Sequence, residues 1–153
     1  MAEERGVAFE QGPYVQVAAF CETVVEGKDG TLTLVRMVDQ FTRTEASPDA
    51  PREMPPSPIT LRVVIGLKSG RARGSYELHI VPEKPSGETL PHIIFPVRLE
   101  GEHRGHNIIA NIGFTFDMEG LYWFRVYLED KLLTAMPLRV IYQRVLTGPT
   151  RPR

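Results

Sequence analysis

The chain has 153 residues, of which 42% are hydrophobic and 24% charged, and its formal net charge is −1. This length and composition suit a single globular domain with its own core, and they exclude an intrinsically disordered chain. The near-zero charge gives no electrostatic basis for binding nucleic acid or an anionic membrane, so we expect neither partner.

Cysteine usage and the N-terminal sequence favour a cytoplasmic location. The one cysteine, Cys21, cannot form an intrachain disulfide, and residues 1–12 carry acidic side chains where a secretory signal needs a basic region and an apolar run. No apolar stretch approaches the length that spans a membrane. Because no histidine lies near Cys21 in the sequence, we expect a small buried side chain there rather than a nucleophile.

Two strands are predicted in the first part of the chain. Residues 1–13 have no sustained period, so we expect a flexible N-terminus and a domain that begins at Tyr14. Residues 14–21 predict a strand whose odd-numbered side chains, Cys21 among them, face the core. A polar excursion, which a short helical turn would also fit, separates it from a second predicted strand at residues 31–38.

Proline dominates the next stretch, residues 41–58. Because proline has no amide hydrogen to donate to a sheet ladder, this composition predicts an exposed connection, with a proline-rich loop at residues 44–58. Two half-buried strands are then predicted by the alternation of apolar and polar residues at 59–67 and 75–80.

Three cations and two glycines lie between those two strands. The spacing does not match a phosphate-binding loop, and no helix pattern follows it, so we predict an exposed hairpin loop. Lys68, Arg71 and Arg73 are the candidate contacts for an anionic partner.

A further strand is predicted at residues 93–99, where Pro96 favours an edge position or a bulge. After it, His103 and His106 are separated by two residues, a spacing that could bring two imidazoles to one metal ion. The usual third and fourth ligands are absent nearby, so we predict exposed loop histidines, no metal and no cofactor. Residues 107–116 resume the alternation of a strand.

The closing part of the chain, residues 119–144, predicts a β-hairpin. The phase of its two strands favours a three-residue loop at 129–131 that pairs Leu128 with Leu132, because a slip of one residue would invert every side chain. The side chains expected in the core are Tyr122, Phe124, Val126, Leu128, Leu132, Thr134, Met136, Leu138, Val140 and Tyr142.

The opposite face of this hairpin is unusually apolar for a sheet surface in water. The outward side chains that make it so are Trp123, Tyr127, Leu133 and Ile141. Either a loop such as the proline-rich segment covers them, or they form a surface for a partner or a second copy. They are the candidate interface residues.

Two resemblances bear on the fold. The segments YVQVAAFCE, GTLTLVRMVD, GLYWF and PLRV resemble the opening and ending of a family of uncharacterised bacterial proteins known only as a domain of unknown function. That resemblance implies a compact β-rich protein with no assigned activity. The sequence from Asp117 to Tyr122 also resembles the tyrosine corner of immunoglobulin-like sandwiches, in which a tyrosine at a strand start bonds back to the backbone.

Together the segments predict an all-β fold, an antiparallel sandwich of about eight strands that is immunoglobulin-like, with a partly closed barrel as the alternative. A single domain would span residues 14–144, and residues 145–153 lack a period and should form a flexible tail. We expect a noncatalytic module that binds another protein or a second copy of itself. The alternative is a small-ligand or metal-dependent site on loops at one end of the sandwich, such as that of a hydrolase.

Overall fold

The computed structural model describes residues 11–145, and the regular elements within this range are nine β-strands. In chain order they are β1 (Tyr14–Glu26), β2 (Leu32–Val38), β3 (Gln40–Glu45), β4 (Ser57–Lys68), β5 (Arg73–Glu83), β6 (Ile93–Glu100), β7 (Gly105–Phe116), β8 (Gly120–Leu128) and β9 (Lys131–Arg144). Flexible ends are predicted at residues 1–13 and 145–153, and of these, residues 1–10 and 146–153 lie outside the described residues.

The strands form two separate sheets, so the fold is a sandwich, as predicted. A four-stranded sheet has the order β2-β1-β4-β7, and a five-stranded sheet has the order β3-β9-β8-β5-β6. Neighbouring strands run antiparallel except β3 and β9, which are parallel. Pro96 lies on β6, an edge strand, where a missing amide hydrogen is tolerated.

The core lies between the sheets and is built from the alternate residues that the sequence pattern places there. Ile65, Leu78, Ile80, Phe124 and Leu138 are among its fully buried members. Aromatic rings from both sheets meet edge to face, and each such pair contributes about 0.5–1.5 kcal/mol beyond the area it buries. The shortest centroid separations are 4.8 Å between Phe116 and Tyr122 and 4.9 Å between Phe20 and Phe124.

One strand was not predicted, because the proline-rich composition hid it. Residues Gln40–Glu45 form β3 and pair in parallel with β9, whereas the sequence predicts an exposed connection from residue 41. The prolines begin only at Pro48, and the alternation of Phe41 with polar neighbours fits an edge strand. The ring of Phe41 lies 5.5 Å from that of Phe116, which anchors β3 to the core.

The proline-rich segment packs over one end of the core and is more than an exposed connection. Met54 is buried within the core cluster, and the Tyr142 hydroxyl donates to the Pro51 carbonyl at 2.8 Å. The Arg43 guanidinium donates to the carbonyls of Pro55 and Pro56 at 3.2 and 3.1 Å. Prolines leave carbonyls free to accept such bonds, so side chains can fix this segment without a sheet ladder.

A β-bulge in β1 changes which of its side chains face the core. The register with β4 shifts between Val15 and Val17, so Ala18 and Phe20 pack inward, where odd-numbered residues were predicted. The polar excursion is no helical turn, because β1 continues to Glu26 and pairs with β2. Cys21 is buried although it follows Phe20 and therefore faces away from the core between the sheets.

The register of the closing hairpin differs in part from the prediction, because β9 contains a second bulge. Tyr122 pairs with Leu138 and Phe124 with Met136, as predicted, but the register shifts after Val126. The loop therefore has two residues rather than three, and Leu128 pairs with Lys131 rather than with Leu132. Glu129 supplies the positive φ, 52°, that a tight turn requires and that glycine usually provides.

The connection between β4 and β5 is also different from the prediction. The two strands belong to different sheets, so the glycine- and cation-rich segment crosses from one sheet to the other instead of closing a hairpin. Periodicity within each strand is the same in both arrangements, and so the sequence pattern could not distinguish them.

The tyrosine corner is present. The Tyr122 hydroxyl lies 3.1 Å from the Met118 carbonyl and 3.3 Å from the Met118 amide nitrogen, so it can donate to the first and accept from the second. Burial raises the pKa of the Tyr122 hydroxyl, and the bond from the Met118 amide opposes this. Together with the two sheets, this corner establishes an immunoglobulin-like sandwich.

We predict that Tyr122→Phe lowers the free energy of unfolding by about 1–3 kcal/mol, because the partly buried Met118 amide and carbonyl lose their partner. Urea unfolding of the purified chain measures this loss. Tyr76→Phe is the matched control, since the Tyr76 hydroxyl donates to the exposed Arg73 carbonyl at 3.0 Å and should cost under about 1 kcal/mol. Equal losses in the two variants would contradict a special role for the corner.

We predict that Cys21 resists alkylation in the folded protein. Burial raises the pKa of its thiol, with the nearby Arg62 charge opposing, so less of the reactive thiolate forms at a given pH. Its side chain is only 4% exposed, which also blocks the reagent. Mass spectrometry after iodoacetamide treatment should show labelling only in denaturant, and native labelling at the denatured rate would refute the prediction.

Candidate interaction face

The candidate site is the surface of the five-stranded sheet that points away from the core, which we call the outer face. One row of neighbouring residues crosses four of its strands in the order Leu132, Tyr127, His79 and Ile94. Leu132 and Ile94, at the two ends of the row, are 52% and 51% exposed. The row thus presents apolar side chains at both ends and two polar-tipped rings between them.

Two further rows carry charge. Arg125 lies between Ala135 and Val81, and Trp123 lies between Pro137 and Glu83. The Arg125 guanidinium forms an ion pair with Glu83 and stands 5.9 Å from the centre of the Trp123 ring. Such contacts hold the arginine flat against the sheet, because the ring face attracts the cation while the carboxylate fixes its direction.

A shallow groove of about 480 Å³ opens on the outer face between β5, β8 and the segment before β6. Its lining includes His79, His92, Arg125, Tyr127 and Asp130. The walls combine aromatic and charged side chains, which is typical of binding surfaces.

Two histidines in the groove bind each other. Their Nδ1 atoms are 3.1 Å apart, and the other ring nitrogen of His79, Nε2, lies 3.2 Å from the Glu77 carboxylate. A bond between two Nδ1 atoms requires a proton on one of them and a lone pair on the other. This pair therefore holds together with at most one of the two rings positively charged.

The predicted interface residues are only partly brought together. Trp123 and Tyr127 both lie half-buried on the outer face, and Ile141 lies farther along β9 beside Thr42 of β3. Leu133, in contrast, is the extra residue of the hairpin bulge and packs against the core, so its predicted place on the outer face is wrong. Leu132 takes that place opposite Tyr127, although it was predicted to be in the core.

The proline-rich segment, which was one alternative cover for Trp123, packs at the end of the core. Its Met54 side chain is buried in the core cluster, its carbonyls accept hydrogen bonds from Arg43 and Tyr142, and none of its residues lines the groove. Arg125 covers part of the Trp123 ring instead.

Sequence reasoning missed His79, His92 and Ile94 as parts of this face. Ile94 is exposed because it points away from the core on an edge strand, beside His79. His92 lies outside any strand, so no alternation pattern could have aligned it with His79. Only the pairing of β5 with β6 brings the two rings together.

The other predicted site residues gather at one end of the sandwich. The loop after β4 carries Arg71 next to Lys68 and Arg73, and it bonds to the loop before β7, which carries His103. His106 lies within β7, opposite Leu67. Among residues 11–145, no three His, Cys, Asp or Glu side chains are grouped as a metal site would need.

The chain was compared with curated proteins and with solved structures. No curated protein matches the chain. A solved immunoglobulin-like protein from Pseudomonas aeruginosa is similar over 86% of this chain and 98% of its own, with 12% identity and a TM-score of 0.41. Within the described part of the chain, no helix has the length and apolar character needed to cross a membrane.

A protein-family model covers most of the sandwich. It describes a family of unknown function, DUF6941, and it matches residues 16–141, a range that runs from β1 into β9. This range includes the tyrosine-corner segment and all but the first two residues of the segments that resemble an uncharacterised family. On this match the chain belongs to the DUF6941 family.

Proposed function

We propose that the chain is a noncatalytic immunoglobulin-like module that associates with a second copy of itself through the outer face. The observation that carries this proposal is the row from Leu132 through Tyr127 and His79 to Ile94, whose two ends are exposed and apolar.

The row is self-complementary. A twofold axis parallel to the strands, passing between β8 and β5, places Leu132 of one copy over Ile94 of the other and Tyr127 over His79. Homodimers use such isologous contacts, in which one patch serves both subunits. Two apolar ends that would each remain in water in the monomer then cover each other.

The charged rows are compatible with this arrangement. The same axis places Arg125 over Val81 of the second copy and Trp123 over Glu83. Because Arg125 and Glu83 are already paired within one copy, burying them leaves neither of these two charges unpaired. Tryptophan, tyrosine and arginine are also the side chains that contribute most to protein interfaces.

The size of the face limits the affinity that a dimer could have. β6 pairs with residues 73–80 of β5 and β8 pairs with residues 78–83, so all four strands lie side by side only around residues 78–80 of β5. The contact is therefore at or below the lower range for a specific interface, which is about 1,000 Å² in total. We therefore expect a dissociation constant in the micromolar range or above, about −8 kcal/mol or weaker.

A binding role is supported over a catalytic one by the bonds within the groove. Arg125 is committed to Glu83, and both nitrogens of His79 are engaged, by His92 and Glu77. A general base needs a free lone pair directed at its substrate, and neither nitrogen of His79 offers one.

We predict that Leu132→Asp and Ile94→Asp each weaken self-association by about tenfold or more, which corresponds to about 1.4 kcal/mol for a lost apolar contact. Sedimentation equilibrium over a range of concentrations measures the change in average mass from the 17.2 kDa monomer. Both side chains are about half exposed, so the substitutions should leave the fold intact.

Met37→Asp is the matched control. Met37 is 70% exposed on the four-stranded sheet, so the same polar replacement there should leave association unchanged. A chain that remains monomeric at all concentrations, or a dimer that only Met37→Asp disrupts, would overturn the proposal.

A further inference from the structure

We propose that one end of the sandwich binds a small molecule carrying a di- or triphosphate group. The site, which we call the basic end, consists of Arg73, Arg98 and Arg104 with Glu100 and Glu102 between them. It does not depend on the outer-face dimer proposed above, and it lies about 13 Å from Ile94, four residues along β6.

Hydrogen bonds between two loops build this end. The Ser69 amide donates to the Arg104 carbonyl at 2.9 Å, and the His103 amide donates to the Gly70 carbonyl at 2.8 Å. The Ser69 hydroxyl, which is fully buried, donates to the Gly101 carbonyl at 2.9 Å. The cations are thus carried on a fixed platform, which lowers the entropic cost of binding a ligand.

Positive charge is concentrated here. Residues 68–73 and 98–106 contain five Lys or Arg residues and two Glu residues, which leaves 13 cations and 17 carboxylates in the rest of the chain. An excess of three positive charges therefore stands at one end of a molecule whose remainder has an excess of four negative charges. Such segregation attracts an anion to this end and repels it elsewhere.

Glu102 marks where the anion would bind. One of its carboxylate oxygens lies 3.5 Å from Arg73 Nη2, and the other lies 3.4 Å from Arg104 Nη2, so a single carboxylate bridges two guanidinium groups. All three side chains are more than 60% exposed, so these ion pairs are weak. A phosphate group carries more charge and a third oxygen, and it can displace the carboxylate.

The backbone beneath Glu102 is strained. Glu102 and His103 have φ values of 55° and 57°, which residues with a side chain rarely adopt, and strain of this kind concentrates at ligand sites. Gly101 precedes them, and a Cβ atom there would lie 2.8 Å from Arg73 Nε. Glycine at this position therefore lets the Arg73 side chain pass close to the loop.

The shape and lining of the site define the class of ligand. The cavity holds about 600 Å³, within the range of small-molecule sites, and its lining is charged apart from Gly74 and Leu99. Among residues 11–145, no aromatic ring lines the site to stack on a base, so recognition depends on charge. Three guanidiniums favour a chain of two or three phosphates over a single one.

Isothermal titration calorimetry at low ionic strength with inorganic tripolyphosphate, pyrophosphate and phosphate tests the proposal. We expect saturable binding that is tightest for tripolyphosphate, and we expect Arg73→Ala and Arg104→Ala each to weaken it by about tenfold or more, as the loss of a charged hydrogen bond does. Arg139→Ala, which removes an exposed cation from β9, should leave the affinity unchanged.

Glu102→Gln is the more discriminating variant, because it removes the carboxylate that occupies the proposed anion site and should therefore tighten binding. Glu100→Gln makes the same change in charge, yet the ion pair of Glu100 is to one arginine, Arg104, whereas Glu102 bridges two, so Glu100→Gln should tighten binding less. A gain of affinity cannot arise from a misfolded variant. Leu132→Asp should bind tripolyphosphate like the unaltered chain whether or not the dimer exists, which separates the two proposals.

Absence of saturable tripolyphosphate binding by both the unaltered chain and Glu102→Gln would overturn the proposal. Equal effects of Arg139→Ala and Arg73→Ala, or of Glu100→Gln and Glu102→Gln, would also overturn it, because they would show attraction to overall charge rather than to this site.

Discussion

The burial of alternate side chains on β8 is the constraint on which the rest of the structure depends. This strand is the centre of the five-stranded sheet, and Tyr122, Phe124 and Val126 on its inner side are fully buried. Their contacts with Phe20 and Phe116 fasten the two sheets together, and the hydroxyl of Tyr122 fixes the turn before the strand. Because side chains on a strand alternate, the same burial forces Trp123, Arg125 and Tyr127 outward together.

The neighbouring strands determine which apolar and charged side chains surround these outward residues. The bulge in the closing hairpin turns Leu133 into the core and leaves Leu132 beside Tyr127, while β5 brings Glu83 to Arg125 and His79 to Tyr127. A sheet face in water usually carries isolated polar side chains. This one combines exposed apolar residues with charges already satisfied within the chain, which suits a contact that forms and separates.

The basic end of the sandwich is held together by different interactions from those of the outer face. The loops after β4 and before β7 connect one sheet to the other, so their directions are set by hydrogen bonds between loops rather than by a ladder. Those bonds bring together cations that are about 30 residues apart in the sequence, and the Glu102 carboxylate bridges two of them. Residues on such connections tolerate strain because the platform beneath them is rigid.

The sequence by itself determined the fold class, most strand positions and the inner residues of β4, β5, β7 and β8, because period-two burial is a local property of each strand. It also indicated the tyrosine corner. Only the tertiary structure decided the parallel β3, both bulges, the pairing of His79 with His92 and the meeting of Arg73 with Arg104. The strand pairings and side-chain contacts depend on which strands become neighbours. A bulge inserts one extra residue and so reverses which side chains face the core. No pattern within a single segment specifies either.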